Sequence, residues 1–231
     1  MRRRDFIYGL GGSAAAAGIS TLSSAAQAPA RAERPEIRVG DSSVFQDRDV
    51  RTGVKREIRL RTISLGADRI VTEVSGATSG IRTFTSDWNL LEDKIGDTNN
   101  QTVKPFWPYL RFPLEVGQKW DTPFEVETTT LAFSRSAKWQ WTAQVAAAES
   151  VTVPARTYQA FRIEYEGTFA SRQENFGNRQ GTRSFTGTQK ETAWYAPEVM
   201  RIVKREFQQL VPANNFFDRH VIELLSFMPA Q

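Results

Sequence analysis

Between Tyr158 and Glu166 apolar and charged positions alternate: Phe161, Ile163 and Tyr165 interleave with Arg162, Glu164 and Glu166. Successive side chains of an extended strand point to opposite faces, so this period of two predicts a strand with one buried and one wet face. Trp139, Trp141, Ala143 and Val145 repeat the pattern. The same criterion predicts strands over 58–64, 69–74, 80–85, 124–128, 183–195, 201–207 and 220–227. Val221 to Phe227 is apolar at nearly every position, as expected of a terminal strand buried on both faces. The polar, glycine-punctuated stretch from Ser171 to Gly181 predicts a wide hairpin connection. β-branched and aromatic residues dominate the strand candidates, and no comparable length carries a helical apolar stripe. The expected fold is mostly β: a single antiparallel, strongly curved sheet or partly closed β-barrel with long hairpins.

The first residues follow a different logic. Arg2-Arg3-Arg4-Asp5-Phe6-Ile7 precedes a weakly hydrophobic Gly/Ala/Ser stretch and then Ala26-Gln27-Ala28. This is the form of a twin-arginine export signal, with Arg3, Arg4 and Phe6 as recognition residues and Ala26 and Ala28 as the small residues a signal peptidase reads. The chain then divides into a signal peptide over 1–28, a tether over 29–36 and one β-rich domain over 37–231. The expected partners during export are the twin-arginine translocase and signal peptidase, and the expected destination is the periplasm or the medium. The run from Gly9 to Ala26 is interrupted by Gly and Ser and is too weakly apolar for a permanent span.

Composition narrows the chemistry. Of the formal charge of +4, about half lies in the first five residues, and no basic stripe follows, so a nucleic-acid partner is not expected. The absence of cysteine rules out disulfides, thiolate metal sites, a cysteine nucleophile and a cysteine-borne lipid anchor for this sequence. There is no Gly-rich nucleotide fingerprint, and the ligands metals prefer are few, so no cofactor and no metal are expected.

Three separated segments carry a resemblance. They are Pro113-Leu114-Glu115-Val116-Gly117-Gln118-Lys119-Trp120, Val153-Pro154-Ala155-Arg156-Thr157-Tyr158-Gln159-Ala160-Phe161, and Trp194-Tyr195-Ala196-Pro197-Glu198-Val199-Met200-Arg201-Ile202-Val203-Lys204. In order and spacing they resemble the TapB-like and related exported β-rich domains of unknown function, across roughly residues 40 to 227. The chain departs from the family pattern where glycine is common, having Arg156, Glu198 and Met200. The resemblance implies an extracytoplasmic β domain and transfers no catalytic residues.

Candidate chemistry is sparse. His220 is the single histidine, and Asp218 shares its strand face, but a Ser-His-Asp reading lacks a Gly-x-Ser-x-Gly elbow. Asp93, Asp97, Asn99 and Asn100 offer oxygen ligands at a spacing wrong for an EF-hand, and a polar turn accounts for them. Glu164 with Glu166, and Glu125 with Glu127, belong on solvent faces. No catalytic residues are therefore assigned. The aromatic inventory says more: Pro105 to Pro113 packs four rings among three prolines, and such a segment caps the end of a β-core or presents rings to a partner. Phe106, Trp107, Tyr109, Trp120, Trp139, Trp141 and Trp194 are the candidate ligand-binding residues. The reading that follows is a non-catalytic binding or accessory domain of the cell envelope, with a hydrophobic, glycan or protein partner. The alternatives are a carboxylate-dependent hydrolase of envelope or polymer substrates, and a purely structural interaction module.

Overall fold

The computed structural model describes residues 30–96, 98–176, 181–214 and 216–231; the signal expected over 1–28 lies outside them. The elements in chain order are β1 (Arg31–Ala32), β2 (Ser42–Asp49), β3 (Lys55–Leu65), β4 (Arg69–Gly76), β5 (Gly80–Thr85), β6 (Leu90–Ile95), β7 (Asn99–Trp107), β8 (Leu114–Glu115), β9 (Lys119–Thr129), β10 (Phe133–Thr152), β11 (Thr157–Asn175), β12 (Gly181–Ala196), β13 (Arg201–Val211) and β14 (Phe216–Met228). Twelve of these strands pair antiparallel with their neighbours in sequence, and β14 pairs with β2 to close a barrel. Closure removes the open edges that an isolated sheet would present. The remaining two, β1 and β8, form a small separate ladder.

Alternation decides which way each strand faces. Ala137, Trp139, Trp141, Ala143 and Val145 of β10 are buried, while Lys138, Gln140 and Thr142 between them are exposed. On β9, Phe124 and Val126 are buried and join the same apolar cluster. Outside, charged residues meet across strands, as Lys190 meets Glu166 at 2.8 Å and Lys138 meets Glu125 at 3.4 Å. Apolar inside and charged outside is the reverse of a barrel whose outer face meets lipid.

Two apolar clusters fill the interior. The larger gathers five of the six tryptophans with Ile163, Tyr165, Phe169 and Tyr195; the smaller joins Phe45, Val151, Tyr158, Val199, Val203 and Leu224. Opposite Trp141 on the neighbouring strand, glycine leaves room for the ring: a Cβ at Gly167 would lie 2.2 Å from Trp141 Cε3.

The proline-rich segment between β7 and β8 does the capping. Leu110 and Leu114 are buried, and Trp120 donates its indole N–H to the Pro108 carbonyl at 3.1 Å. The buried Asn89 amide donates to the Leu110 carbonyl at 2.9 Å and accepts from the Leu110 N–H at 2.8 Å. That reciprocal pair satisfies backbone groups no ladder reaches. Within 29–36, expected as a tether, β1 lies against the same region: Ala32 is buried, and Arg31 pairs with Glu115 at 2.6 Å.

Three expectations about strands need adjustment. β11 runs on to Asn175 and β12 resumes at Gly181, so most of the predicted connection is strand, its polar residues lying where the hairpin leaves the core. On β14 only Val221 and Leu224 are buried, the other positions being half-buried or exposed to solvent, and a bulge between Leu224 and Ser226 shifts the phase of the strand's last residues. β2, β6 and β7 carry too few consecutive alternations for the sequence criterion to find them.

Candidate functional site

Along β12, Tyr195 and Ala193 face inward, and continuing the same phase brings in Glu191 and Gln189. A carboxylate inside a barrel must be paired. Its partner comes from the next strand: Arg205 Nε donates to Glu191 Oε1 at 2.7 Å and Nη2 to Oε2 at 3.0 Å, a bidentate pair. The Glu191 side chain has no exposed surface. Burial alone would lower the Arg205 pKa, but the Glu191 charge and hydrogen bonds outweigh it and hold the guanidinium above its ordinary range. Arg205 Nη2 also donates to the Tyr109 hydroxyl at 3.0 Å, while Tyr165 donates its hydroxyl to the Tyr109 carbonyl at 2.6 Å. Burial pushes the Tyr109 phenol up to about 12 and Tyr165 well above its usual value. The ion pair thus fastens the capping segment to the barrel wall.

Beside it, at the boundary between the two apolar clusters, is a cavity of about 130 Å³. Phe45, Ile58, Phe84, Ile202 and Ile222 supply apolar wall, with Trp88 and Tyr109 as aromatic wall and Arg82, Arg201 and Arg205 as cations. These residues come from the adjacent strands β13, β14, β2 and β3, from β5 and the turn after it, and from the capping segment. A bulge on β13 opposite Trp194 and Tyr195 inserts an extra residue, so that Ile202 and Arg205 line the cavity together.

The three arginines differ in how their charge is met. Arg82 donates to Asp93 Oδ2 at 3.0 Å, and Arg205 is held by Glu191. Arg201, only 5 % exposed, forms no ion pair among the described residues. Its side-chain hydrogen bond there is a long one, from Nη2 to Thr62 Oγ1 at 3.5 Å, and its guanidinium carbon stands 4.2 Å from the centre of the Trp88 ring. Burial lowers its pKa to about 10, with the Asp41 charge opposing the shift. Asp41 is itself occupied, accepting from the N–H groups of Arg38 at 2.9 Å and Ala230 at 2.8 Å. The Trp88 indole N–H is also buried with no acceptor among the described residues.

Backbone strain collects at this place. The two non-glycine residues with positive φ among the described residues are Trp88 (φ 60°) and Met200 (φ 53°). Met200 closes the 3-10 turn Pro197–Val199 and aims Arg201, which follows it; glycine would adopt this conformation without strain. Left-handed conformations at bulky residues persist only where the surroundings impose them, and they concentrate at working sites.

Of the seven aromatic candidates, Trp107, Tyr109, Trp139 and Trp141 gather inside the barrel with ring centroids 5–6 Å apart, as for Trp107 and Trp139 at 5.2 Å, and Trp120 joins them through Tyr165 at 6.4 Å. Tyr109 alone of these lines the cavity. Phe106 is half-buried outside the cluster, and Trp194 lies half-buried on the outer wall, donating to Glu149 Oε1 at 2.9 Å. Trp88 belongs to the same aromatic inventory and stands at the cavity. Arg82, Glu191, Arg201 and Arg205 escaped sequence reasoning, although the phase of β12 carried a signal for Glu191.

The remaining candidates resolve as follows. Glu164 and Glu166 face solvent, and Glu127 pairs with Lys104 at 3.3 Å. Asp93 is turned inward to Arg82; Asn99 and Asn100 pair in the β6–β7 ladder, and Asp97 lies outside the described residues. His220 receives Asp218 as expected, Nε2 to Oδ1 at 3.0 Å, but Asp47 of β2 takes the other nitrogen, Nδ1 to Oδ1 at 2.6 Å. With a carboxylate on each nitrogen, both ring positions act as donors, which suits an imidazolium and leaves no lone pair for a general base. Phe207 stacks on the ring at 5.2 Å, and Asp49 and Arg56 share its recess.

Burial would lower the His220 pKa, but the hydrogen bond and charge of Asp47, then those of Asp218, raise it above the ordinary value. A pKa raised on folding contributes stability that is complete below about pH 6.5 and is lost as pH rises through the folded value. Wild type is therefore expected to lose its stability advantage over His220→Gln between mildly acid and mildly alkaline pH. Imidazole NMR, with one histidine to observe, should give a midpoint above about 6.5; a midpoint at or below that value contradicts the arrangement.

No family model matches the chain, and no curated protein does. Among solved structures, an exported-protein candidate with a YmcC-like fold from Bacteroides fragilis superposes with a TM-score of 0.53 at 14 % identity, over 85 % of this chain and 99 % of that one. The hypothetical lipoprotein YmcC from Escherichia coli aligns over 82 % of this chain and 85 % of that one, at 14 % identity and a TM-score of 0.45. At such identities the likeness to the Bacteroides protein speaks for fold alone: this chain has a YmcC-like β-barrel fold.

Proposed function

We propose that this chain is an exported, non-catalytic binding or accessory domain of the bacterial cell envelope, and that its ligand enters the cavity beside Tyr109. One observation carries the reading: a cation 5 % exposed, Arg201, faces an apolar cavity without a carboxylate partner among the described residues. Uncompensated buried charge is retained at a cost to stability, and a ligand that compensates it gives the cost a purpose. The twin-arginine motif and the Ala26 and Ala28 cleavage pattern support folded export to the periplasm. The candidate carboxylates favour no hydrolase: they face solvent in ion pairs, or meet arginine or the doubly occupied His220.

Native mass spectrometry of the mature protein, purified gently from the periplasm of its own host, tests this. The expected result is a defined extra mass released on denaturation, from a protein whose N-terminus is Pro29. An apo mass, with no partner retained, contradicts a ligand carrier.

A further inference from the structure

We propose that the cavity beside Tyr109 is a carboxylate site, taking a small or chain-bearing organic acid whose head group pairs with Arg201 and whose apolar stem lies against Phe45, Ile58 and Ile222. This rests on the binding role above and names its ligand class.

Charge comes first. Arg82 and Arg205 line the cavity but are matched by Asp93 and Glu191, so one formal charge, on Arg201, is left to meet. Asp41 acts on it only from beyond ion-pair distance, with both carboxylate oxygens already accepting backbone N–H groups. A monoanion balances this count, and the planar guanidinium fork fits a carboxylate in a bidentate pair. A phosphate dianion would leave a charge unmet in an apolar wall.

Lining and shape agree. The Trp88 ring, on the same wall, supports the guanidinium face. Beyond the cations the lining is Phe45, Ile58, Phe84, Ile202 and Ile222, suited to methylene or ring carbon. A volume of about 130 Å³ admits a short acid whole, or the head of a longer one. The strained Trp88 and Met200 place the ring and the cation it supports, and their conformations gain a reason when the acid is present.

The test compares hexanoate with hexan-1-ol by calorimetry on wild type and Arg201→Met. Wild type should bind hexanoate saturably and the alcohol about tenfold to a hundredfold more weakly, the range of a charge-assisted pair. Arg201→Met should lose hexanoate binding. Its ligand-free melting temperature should rise by about 3 °C or more, because an uncompensated buried charge has been replaced by an apolar side chain of similar length. Four results overturn the proposal: no saturable hexanoate binding by wild type, equal binding of acid and alcohol, unchanged hexanoate binding by Arg201→Met, or a lowered melting temperature of that variant without ligand. A protein that carries an extra mass from its host yet treats acid and alcohol alike keeps the binding role and loses the acid site.

Discussion

Replacing Glu191 with alanine is expected to destabilise the barrel by about 2–3 kcal/mol, less than the full cost of stranding a buried charge because the Arg205 side chain keeps 25 % of its surface in solvent. The carboxylate has no exposed surface and takes both arms of Arg205. Its loss leaves a guanidinium among Tyr109, Tyr165 and apolar wall, and loosens the Arg205 contact to the Tyr109 hydroxyl that fastens the capping segment. Urea unfolding followed by tryptophan fluorescence measures the effect. Removing both charges, as Glu191→Leu with Arg205→Met, should recover much of the loss, since no ion remains to be solvated. A single-variant loss below about 1 kcal/mol, the range of exposed pairs, would show that water reaches the pair.

Gly167→Ala should cost about 3 kcal/mol, at the upper end of the range for overpacked cores. The added methyl would lie 2.2 Å from Trp141 Cε3 and 2.6 Å from Cζ3. Trp141 cannot easily turn aside: Trp107, Trp139 and Tyr165 surround it at centroid distances of 5.8, 5.9 and 5.6 Å. Gly187→Ala tests the neighbouring strand, where the methyl would meet Phe169 Cζ at 2.4 Å and the Leu210 carbonyl oxygen at 2.6 Å. Chemical denaturation reads both variants. A change within about 0.5 kcal/mol would mean that the rings have space to withdraw.

What alternation could reveal, it did. Trp139 to Val145 and Phe161 to Tyr165 lie on inward faces as their period of two implies, and antiparallel curvature follows from such strands. Complete closure was less legible, because the pairing of β14 with β2 joins residues such as His220 and Asp49 that are far apart in the chain. The same limit hid the site. Arg201 follows a turn in which Met200 takes the left-handed conformation, so its inward direction owes nothing to strand phase. Its aromatic neighbour Trp88 arrives from another hairpin, and the compensation of Arg82 and Arg205 is visible only once β6 and β12 are placed beside them. Sequence does identify aromatic wealth, but aromatic residues that fill a core and those that line a cavity have the same composition. Of the candidates, Tyr109 faces the cavity while Trp139 and Trp141 pack on each other.

The acid-binding cavity is tested most directly by diffraction from crystals of the mature protein grown with 6-bromohexanoate, with bromine located by its anomalous signal. The expected result is a bromine peak within the cavity bounded by Phe45, Ile58 and Ile222, and carboxylate density paired with the Arg201 guanidinium. Bromine confined to the outer surface, or an acid in the cavity with its carboxylate turned away from Arg201, would contradict it.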